Sequence, residues 1–390
     1  MHRRFPEPRR PLDKRILMDL RAQLKPVIAA ASEHAERVDA EGVFPAEAVT
    51  ALRESGLLGL VLPTDVGGLG AGPVEFTEVV GEIAAVCGST AMIYLMHVSA
   101  AVTVGAAPPA ASPNLVSALA SGAALGTLAF SERGSRSHFW APVSTATASG
   151  DVVRIAADKS FVTSAGYADT YVVSCGSTSG VAGEVDLYAV PAGTAGLQVN
   201  GRFVGLGLRG NASAPMTVAV EIPAAQRIGD VAGGFAMMMQ TVLPWFNLGN
   251  AAVSVGLAAS AHASALTHVG GTRLEHLGES LAQLPTIRAQ IARTGIALAA
   301  QRAYLRLAAD SVTTPDDDTM THVLGVKASA NDAALAITES AMRVCGGAAF
   351  SKQLPIERAF RDARAGAVMA PTADVLYDFY GKAVTGLPLF

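Results

Sequence analysis

The run RDARAGAVMAPTAD, residues 361–374, joins two apolar helical segments near the end of this 390-residue chain. Arg361 and Asp362 place charge beside a bend, and Pro371 interrupts the chain shortly afterwards. The small residues around Pro371 let a ligand approach the backbone closely, and Thr372 adds a hydroxyl that can form a hydrogen bond. This pattern predicts a turn that lies against a flat ligand.

Composition bounds the class of protein. Half of the residues are hydrophobic, 16% are charged and the net charge is −4, so a nucleic-acid partner is not expected. The sequence contains no uninterrupted run of about 18 apolar residues, so we expect no transmembrane helix and a cytoplasmic protein. Cys87, Cys175 and Cys345 are too widely spaced for a disulfide framework or a metal site, so we predict three buried, reduced thiols and no metal.

The spacing of apolar residues changes twice along the chain. Residues 1–125 and 228–390 carry apolar residues at helical spacing, whereas residues 126–227 alternate in short runs rich in Val, Ile, Thr and Tyr. We therefore predict a mostly α protein with an N-terminal helical domain, a small antiparallel β domain and a C-terminal helical domain. A break or kink is expected at Pro244 in the long apolar segment of the last domain.

The run at 361–374 resembles the C-terminal signature of the acyl-CoA dehydrogenase superfamily, in which Arg-Asp-Ala leads to a Glu-Gly-Thr turn. The order of the three parts is also that of the superfamily. The resemblance implies an N-terminal helical domain, a middle antiparallel β-barrel and a C-terminal four-helix bundle that together bind FAD. In many members the Glu of the turn removes the α-proton of an acyl thioester, and here Ala370 stands at its place.

Two further motifs support the resemblance. LAFSERGSRSH (128–138) is similar to the superfamily's Thr-Glu-Pro-Gly-x-Gly-Ser-Asp loop. There Ser131 would contact the flavin ring, Ser137 would lie near the pyrophosphate, and Phe130 would offer a backbone contact. On the residues alone, a polar β-turn would be the better explanation of this segment.

KSFVTSAG (159–166) resembles the Lys-x-Trp/Phe-Ile-Thr motif. By that resemblance Phe161 would pack on the isoalloxazine ring and Thr163 would hydrogen-bond it. Thr372 would also bond the flavin, and Asp374 would bond the cofactor or the backbone.

GLGLRG (205–210) fits the glycine spacing of a dinucleotide-binding fingerprint. That fingerprint needs a helix directly afterwards, but the following NASAPMTVAVEIP is typical of a strand. We therefore reject a Rossmann site and interpret the segment as similar to the superfamily's Leu-Gly-x-Arg-Gly-Ser turn.

At the adenine end of the flavin, the superfamily uses an Arg-x-x-Phe-Gly segment and a Gln-x-x-Gly-Gly segment of a neighbouring subunit. RLEHLG and RVCGG are degraded counterparts, with Arg273, Arg343, Gly346 and Gly347 as the candidate residues. The resemblance implies a homodimer or homotetramer.

The catalytic base is the weak point of the resemblance. The alternative position for a base in the superfamily is held here by Phe246, followed by Asn247, and neither side chain can take a proton. His97 lies in a helix that passes near the flavin in the superfamily, and imidazole can exchange protons near neutral pH. A histidine in an apolar helix is more often a core residue, but this position makes His97 a candidate base.

Three functions stay open on the sequence. The first is an FAD-dependent oxidoreductase that transfers hydride from an acyl thioester, bound to CoA or a carrier protein, to flavin N5, with an electron-transfer flavoprotein as partner. The second is a monooxygenase of the same fold that takes a small apolar substrate, oxygen and reduced flavin from a flavin reductase; a thioester lyase is a related option. The third is a non-catalytic or non-redox homologue.

Overall fold

The structure, a computed structural model, describes residues 14–135 and 138–390. The N-terminal domain is helical, with the following α-helices: α1 (Lys14–Glu41), α2 (Ala46–Glu54), α3 (Pro73–Val86), α4 (Gly88–Ala106) and α5 (Leu115–Ser121). Helix α3 begins at Pro73 because the preceding Gly72 N–H donates to Glu75 Oε2 at 2.8 Å, which satisfies an amide at the start of the helix. Helix α4 is apolar on every side and lies in the core.

The described residues of the middle domain form seven strands in two sheets. They are β1 (Gly126–Ala129), β2 (Thr145–Ser149), β3 (Val152–Val162), β4 (Thr170–Gly176), β5 (Val185–Pro191), β6 (Leu197–Val199) and β7 (Ala214–Pro223). The strand order is β1-β4-β5 in one sheet and β2-β3-β7-β6 in the other. A core of small and branched side chains lies between them.

The pairing of β1 departs from the predicted antiparallel arrangement. It runs parallel to β4, with Leu128 opposite Val172, whereas β4 and β5 are antiparallel. Strand β4 is buried along nearly its whole length because Val172 faces the helical core and Val173 faces the core between the sheets. This explains why its sequence is a continuous apolar run and does not alternate.

The C-terminal domain is again helical. Its helices are α6 (Gly234–Met237), α7 (Leu243–Gly271), α8 (Pro285–Thr313), α9 (Thr319–Cys345), α10 (Gly347–Phe350), α11 (Ile356–Val368) and α12 (Ala373–Thr385), and a short hairpin of β8 (Arg273–Leu274) and β9 (Glu279–Ser280) follows α7. Close packing of α7 needs small residues, since a Cβ on Gly249 would lie 2.2 Å from Leu95 Cδ1. The break predicted at Pro244 is not at that residue, because Pro244 lies in the first turn of α7, where a proline is tolerated. The irregularity is a five-residue π-helical turn, Met238–Val242, directly before α7.

In the part of the chain that the structure describes, two helical segments, Gly88–Ala106 and Gly234–Gly271, are long and apolar enough to cross a bilayer by length and composition. Most of each window, 83% and 78% respectively, is buried inside the fold. Their apolar surface is therefore used in the core. The three cysteines are buried and form no disulfide, as predicted.

Candidate functional site

A cavity of about 1780 Å³ opens where the three domains meet. Its walls come from α4, the loop after β1, strands β3 and β7, the segment 200–213, the start of α7 and the end of α11. The apolar part of the lining includes Met92, Met96, Leu128, Phe246 and Met369. Its charged part comprises Arg133, Arg202, Arg209, Arg361, Arg364, Lys159, Glu132 and Asp158.

The structure brings five of the eleven predicted cofactor residues into this cavity. Phe130 and Ser131 reach it from the loop after β1, Phe161 and Thr163 from the end of β3, and Thr372 from the turn after α11. Ser160 N–H donates to Ser131 O at 2.8 Å, and this bond joins the first two segments. Residues distant in sequence therefore share one wall.

The two positions at which the sequence resemblance predicts a base also face the cavity. Ala370 and Phe246 both line it. Each contributes an apolar side chain that cannot take up a proton.

Phe161 supplies an unusual aromatic surface. Its side chain is 63% exposed although it lies in a strand, and it stacks on Phe203 with ring centroids 4.6 Å apart. Exposed aromatic rings on a cavity wall fit the face of a flat aromatic ligand. Thr163 Oγ1 lies 3.3 Å from Ser213 Oγ, so two hydroxyls line the neighbouring part of the same wall.

A buried ion pair holds the loop after β1. Lys159 Nζ donates to Glu132 Oε1 at 2.6 Å and to Ser174 O at 2.6 Å, and both charged side chains are almost fully buried. Glu132 also accepts hydrogen bonds from the Val143 and Ser144 amides at 2.7 and 3.0 Å. The pair lies directly beside Ser131 and fixes its backbone.

Sequence reasoning assigned no role to this pair, although a signal was present. Strand β3 alternates buried and exposed residues, and this period places Lys159 on the buried face. A lysine on the inward face of a strand requires a partner. Glu132 lies in the adjacent motif and is the natural candidate.

The segment 205–208 docks on the start of α11. Arg361 Nη1 donates to Leu206 O at 3.0 Å, and the Leu208 amide donates to Asp362 Oδ1 at 2.6 Å. Arg361 is also bound by two carboxylates, those of Asp39 and Glu357, and their contacts raise its pKa. Burial raises the pKa of Asp362 to about 6. These contacts join all three domains at the edge of the cavity.

The structure argues against His97 as the base. Its side chain is fully buried and does not line the cavity. Nδ1 accepts the Gly126 amide at 3.0 Å, so Nε2 carries the proton and donates to Leu58 O at 3.1 Å. Burial lowers the pKa of His97 to about 4. The sequence-based proposal of a catalytic His97 is therefore corrected: both nitrogens are used to join α4 to neighbouring backbone.

The other predicted residues lie away from the cavity or outside the described chain. Arg273, Arg343, Gly346 and Gly347 are on the surface of the C-terminal domain, and Asp374 is exposed at the start of α12. Ser137 lies outside the described residues. Within residues 14–135 and 138–390, no group of three or more His, Cys, Asp or Glu side chains could hold a metal ion.

The residues of the cavity fit a flavin in three respects. An exposed aromatic pair offers a face for a flat ring, hydroxyls and backbone groups offer hydrogen bonds to its polar edge, and several arginines lie within reach of phosphates. The volume also leaves room for a second, apolar ligand beside Met92 and Met96.

Family models match the chain along nearly its whole length. The model of the acyl-CoA dehydrogenase N-terminal domain matches residues 19–122, that of the middle domain residues 127–219 and that of the C-terminal domain residues 232–385. The probable acyl-CoA dehydrogenase YngJ of Bacillus subtilis is 28% identical over 340 residues, which cover 85% of this chain and 87% of that protein.

Solved structures share the fold. Butyryl-CoA dehydrogenase from Megasphaera elsdenii superposes with a TM-score of 0.88 and 21% identity over 99% of this chain and 100% of that one. PigA, solved with FAD and proline, superposes with a TM-score of 0.88 and 16% identity over 96% of this chain and 98% of its own.

Proposed function

The chain belongs to the acyl-CoA dehydrogenase superfamily, and from this premise we propose that it is an FAD-dependent oxidoreductase acting on an acyl thioester. The observation that carries the proposal is the single cavity that combines an aromatic wall with hydroxyls, an apolar end and arginines. When bound there, FAD supplies a two-electron acceptor for the β-hydrogen of the acyl group.

The chain's own residues would hold the cofactor through ring contacts and hydrogen bonds. Phe161 and Phe203 would cover one face of the ring, and Ser131, Thr163 and Thr372 would bond its polar edge. The buried Glu132–Lys159 pair would keep the Ser131 loop in place while the ligand binds.

The acyl chain would occupy the apolar end of the cavity. Met92, Met96 and Phe246 would contact it there, and flexible methionine side chains adapt to acyl groups of different shape. Arg133, Arg202 and Arg209 would attract the phosphates of a CoA or carrier-protein arm.

Removal of the α-proton is the step for which the cavity offers least. Glu132 is neutralised by Lys159, and Asp158 accepts a hydrogen bond from Thr217 Oγ1 at 3.0 Å. Among the described residues that line the cavity, these two are the only carboxylates. We therefore propose that Ala370 makes ordinary α,β-dehydrogenation slow, or restricts it to thioesters whose α-proton is already acidic.

The comparisons do not favour the monooxygenase alternative, and no observation on the described residues favours a lyase or a non-redox homologue. An electron-transfer flavoprotein as the electron acceptor and a cytoplasmic location are proposals that follow from the sequence.

The proposed function is tested by anaerobic stopped-flow mixing of the FAD-loaded protein with a panel of acyl-CoAs. We expect loss of the oxidised-flavin absorbance at about 450 nm with at least one thioester, together with an enoyl product detected by mass spectrometry. A protein that binds FAD but keeps its absorbance with every thioester would contradict the proposal. Oxygen consumption on addition of reduced flavin would then support the monooxygenase.

A further inference from the structure

Lys327 is a buried cation directed at the turn that follows α11. It lies on α9, its side chain is fully buried, and Nζ donates to Gly366 O and Pro371 O, both at 2.9 Å. A third bond runs to Met369 O at 3.2 Å. One amine thus binds the last turn of α11 and both sides of the residue at position 370.

A chain of buried amides extends this contact to a third helix. Lys327 Nζ donates to Asn331 Oδ1 at 3.3 Å, and Asn331 Nδ2 donates to Asn250 Oδ1 at 2.9 Å and to Ser254 Oγ at 2.8 Å. Asn250 Nδ2 in turn donates to Met369 Sδ at 3.5 Å. The turn is therefore held from α7 as well as from α9.

The network packs directly against the backbone of α11. A Cβ added to Gly366 would lie 2.5 Å from Asn331 Nδ2 and 3.1 Å from Ser254 Oγ. Glycine at 366 is the residue that lets these polar groups reach the end of the helix.

The partners of Lys327 are all neutral. None of the ion pairs found among residues 14–135 and 138–390 includes it. The carbonyls at a helix C-terminus that have no partner within the helix stabilise a cation. Burial of a charged amine nevertheless costs free energy, whereas burial of an apolar side chain does not. Burial lowers the pKa of Lys327 to about 7, and the neutral amine would still keep two N–H donors, enough for two of the three carbonyls.

The other side of the held turn faces the cavity. Met369, Ala370 and Thr372 line it, whereas Lys327 does not. The amine can therefore act on a bound ligand only by placing these three residues.

We propose that Lys327 is a positioning residue. It holds the turn 369–372 in the position on the cavity wall that binding of the flavin and the substrate requires. This inference rests on the proposed function, because it takes the cavity as the flavin site. Its physical basis is the convergence of three backbone carbonyls, all within 3.2 Å, on one amine behind the turn.

The test uses the full-length protein and three variants. Lys327→Met keeps the length of the aliphatic stem but removes the N–H donors. Lys327→Gln supplies two N–H donors again, on a shorter side chain that ends in an amide. The matched control is Thr338→Val on the same helix, which removes a fully buried hydroxyl that bonds only carbonyls of its own helix at Ala334 and Leu335. The Kd for FAD, the visible spectrum of the bound flavin, and kcat and KM are measured for each, with the melting temperature of the FAD-free protein as the measure of folding.

We expect Lys327→Met to weaken FAD binding about tenfold, to shift the absorption bands of the bound flavin and to lower kcat more than it raises KM. Lys327→Gln should fall between Lys327→Met and the natural protein, and Thr338→Val should match the natural protein in affinity and spectrum. If Lys327→Met does not fold, the ordering of Lys327→Gln against Thr338→Val decides the question.

Two outcomes would overturn the inference. In one, a folded Lys327→Met protein (or Lys327→Gln, where only that variant folds) binds FAD with the natural affinity and spectrum; in the other, Thr338→Val changes them equally. Failure of the natural protein to bind FAD would instead contradict the proposed function, so the two failures are distinguishable.

Discussion

Single side chains decide what chemistry the cavity can carry out. At position 370 a methyl group lines the wall of the cavity, at the place where the sequence resemblance predicts a carboxylate. The nearest imidazole on α4, that of His97, is withdrawn into the core and bonded at both nitrogens. The cavity is thus complete in shape and in hydrogen-bonding groups but poor in groups that accept a proton.

Ala370→Glu should introduce the missing base. If the turn places residue 370 as proposed, flavin reduction by a saturated acyl-CoA should speed up by about a hundredfold or more, the range of general base catalysis. Stopped-flow absorbance measures this rate. Ala370→Gln adds nearly the same volume without a base and should give no gain; an equal gain in both variants would mean that packing, and not proton transfer, is responsible.

His97→Ala should act on stability and not on chemistry. The substitution leaves the Leu58 carbonyl and the Gly126 amide buried without their partner, and we expect the free energy of unfolding to fall by ~3 kcal/mol. Turnover per folded molecule should be nearly unchanged. Urea denaturation and steady-state kinetics check the two parts, with His34→Ala as a control, because His34 is a half-buried residue of α1 that does not line the cavity.

The same histidine predicts a pH dependence. Its pKa is lowered from 6.5 to about 4 in the fold, so its contribution to stability is complete above pH 6.5 and is lost as the pH falls from 6.5 to 4. His97→Ala should lack this part of the acid sensitivity in a series of denaturation curves. A variant that keeps the natural stability but loses turnover would restore the catalytic hypothesis.

At the scale of elements, the site depends on segments that bind each other through backbone groups. The loop after β1 is held by the Glu132–Lys159 pair, and the segment 205–208 is held against α11 by Arg361 and Asp362. Neither segment is a regular helix or strand, so hydrogen bonds and close packing set their positions.

Gly207→Ala should detach the segment 205–208 from α11. A Cβ at this position would lie 2.5 Å from the carbonyl oxygen of Arg361, which is backbone and cannot swing aside. We expect a loss of about 1–3 kcal/mol in the free energy of unfolding, measured by urea denaturation, and weaker FAD binding. Gly205→Ala is the matched control, because its Cβ would meet only Gly207 O at 3.4 Å; equal losses in both variants would refute the docking role.

At the scale of the whole molecule, the cavity lies between domains and the predicted adenine-contact residues lie elsewhere. Arg343, Gly346 and Gly347 are exposed on the C-terminal domain, beside Phe350, whose side chain is 82% exposed. In the sequence resemblance, this end of the flavin is bound by a segment of a neighbouring subunit. We propose that a second copy of the chain brings this surface to the flavin.

Light scattering of the FAD-loaded protein should give at least twice the mass of one chain. Phe350→Asp should lower that mass and weaken FAD binding together, since a charge at the interface would have to be desolvated. Val181→Asp, at an exposed turn of the middle domain, should change neither. A monomeric protein with undiminished FAD affinity would contradict this arrangement.

Much of the fold could be predicted from the sequence. The change from helical spacing to alternation at residue 126 and back near 228 marks where β1 begins and where the last helices start, and the superfamily and its fold class are confirmed. The residues of β2 and β6 give little strand signal, because these are short, largely exposed edge strands without a clear apolar alternation. The parallel pairing of β1 with β4 could not be foreseen, because it joins segments separated by two other strands.

The motifs around Ser131, Phe161 and Thr372 could be identified from the sequence alone, because each is a local pattern and the three occur in the order typical of the superfamily. Only the tertiary structure decided that His97 is sealed in the core, that Lys159 meets Glu132 and that Lys327 holds the turn beside Ala370. The physical reason is that burial and hydrogen-bond partners depend on which distant segments pack together. The chemical groups of a side chain are known from the sequence, whereas its burial and its hydrogen-bond partners depend on the tertiary structure.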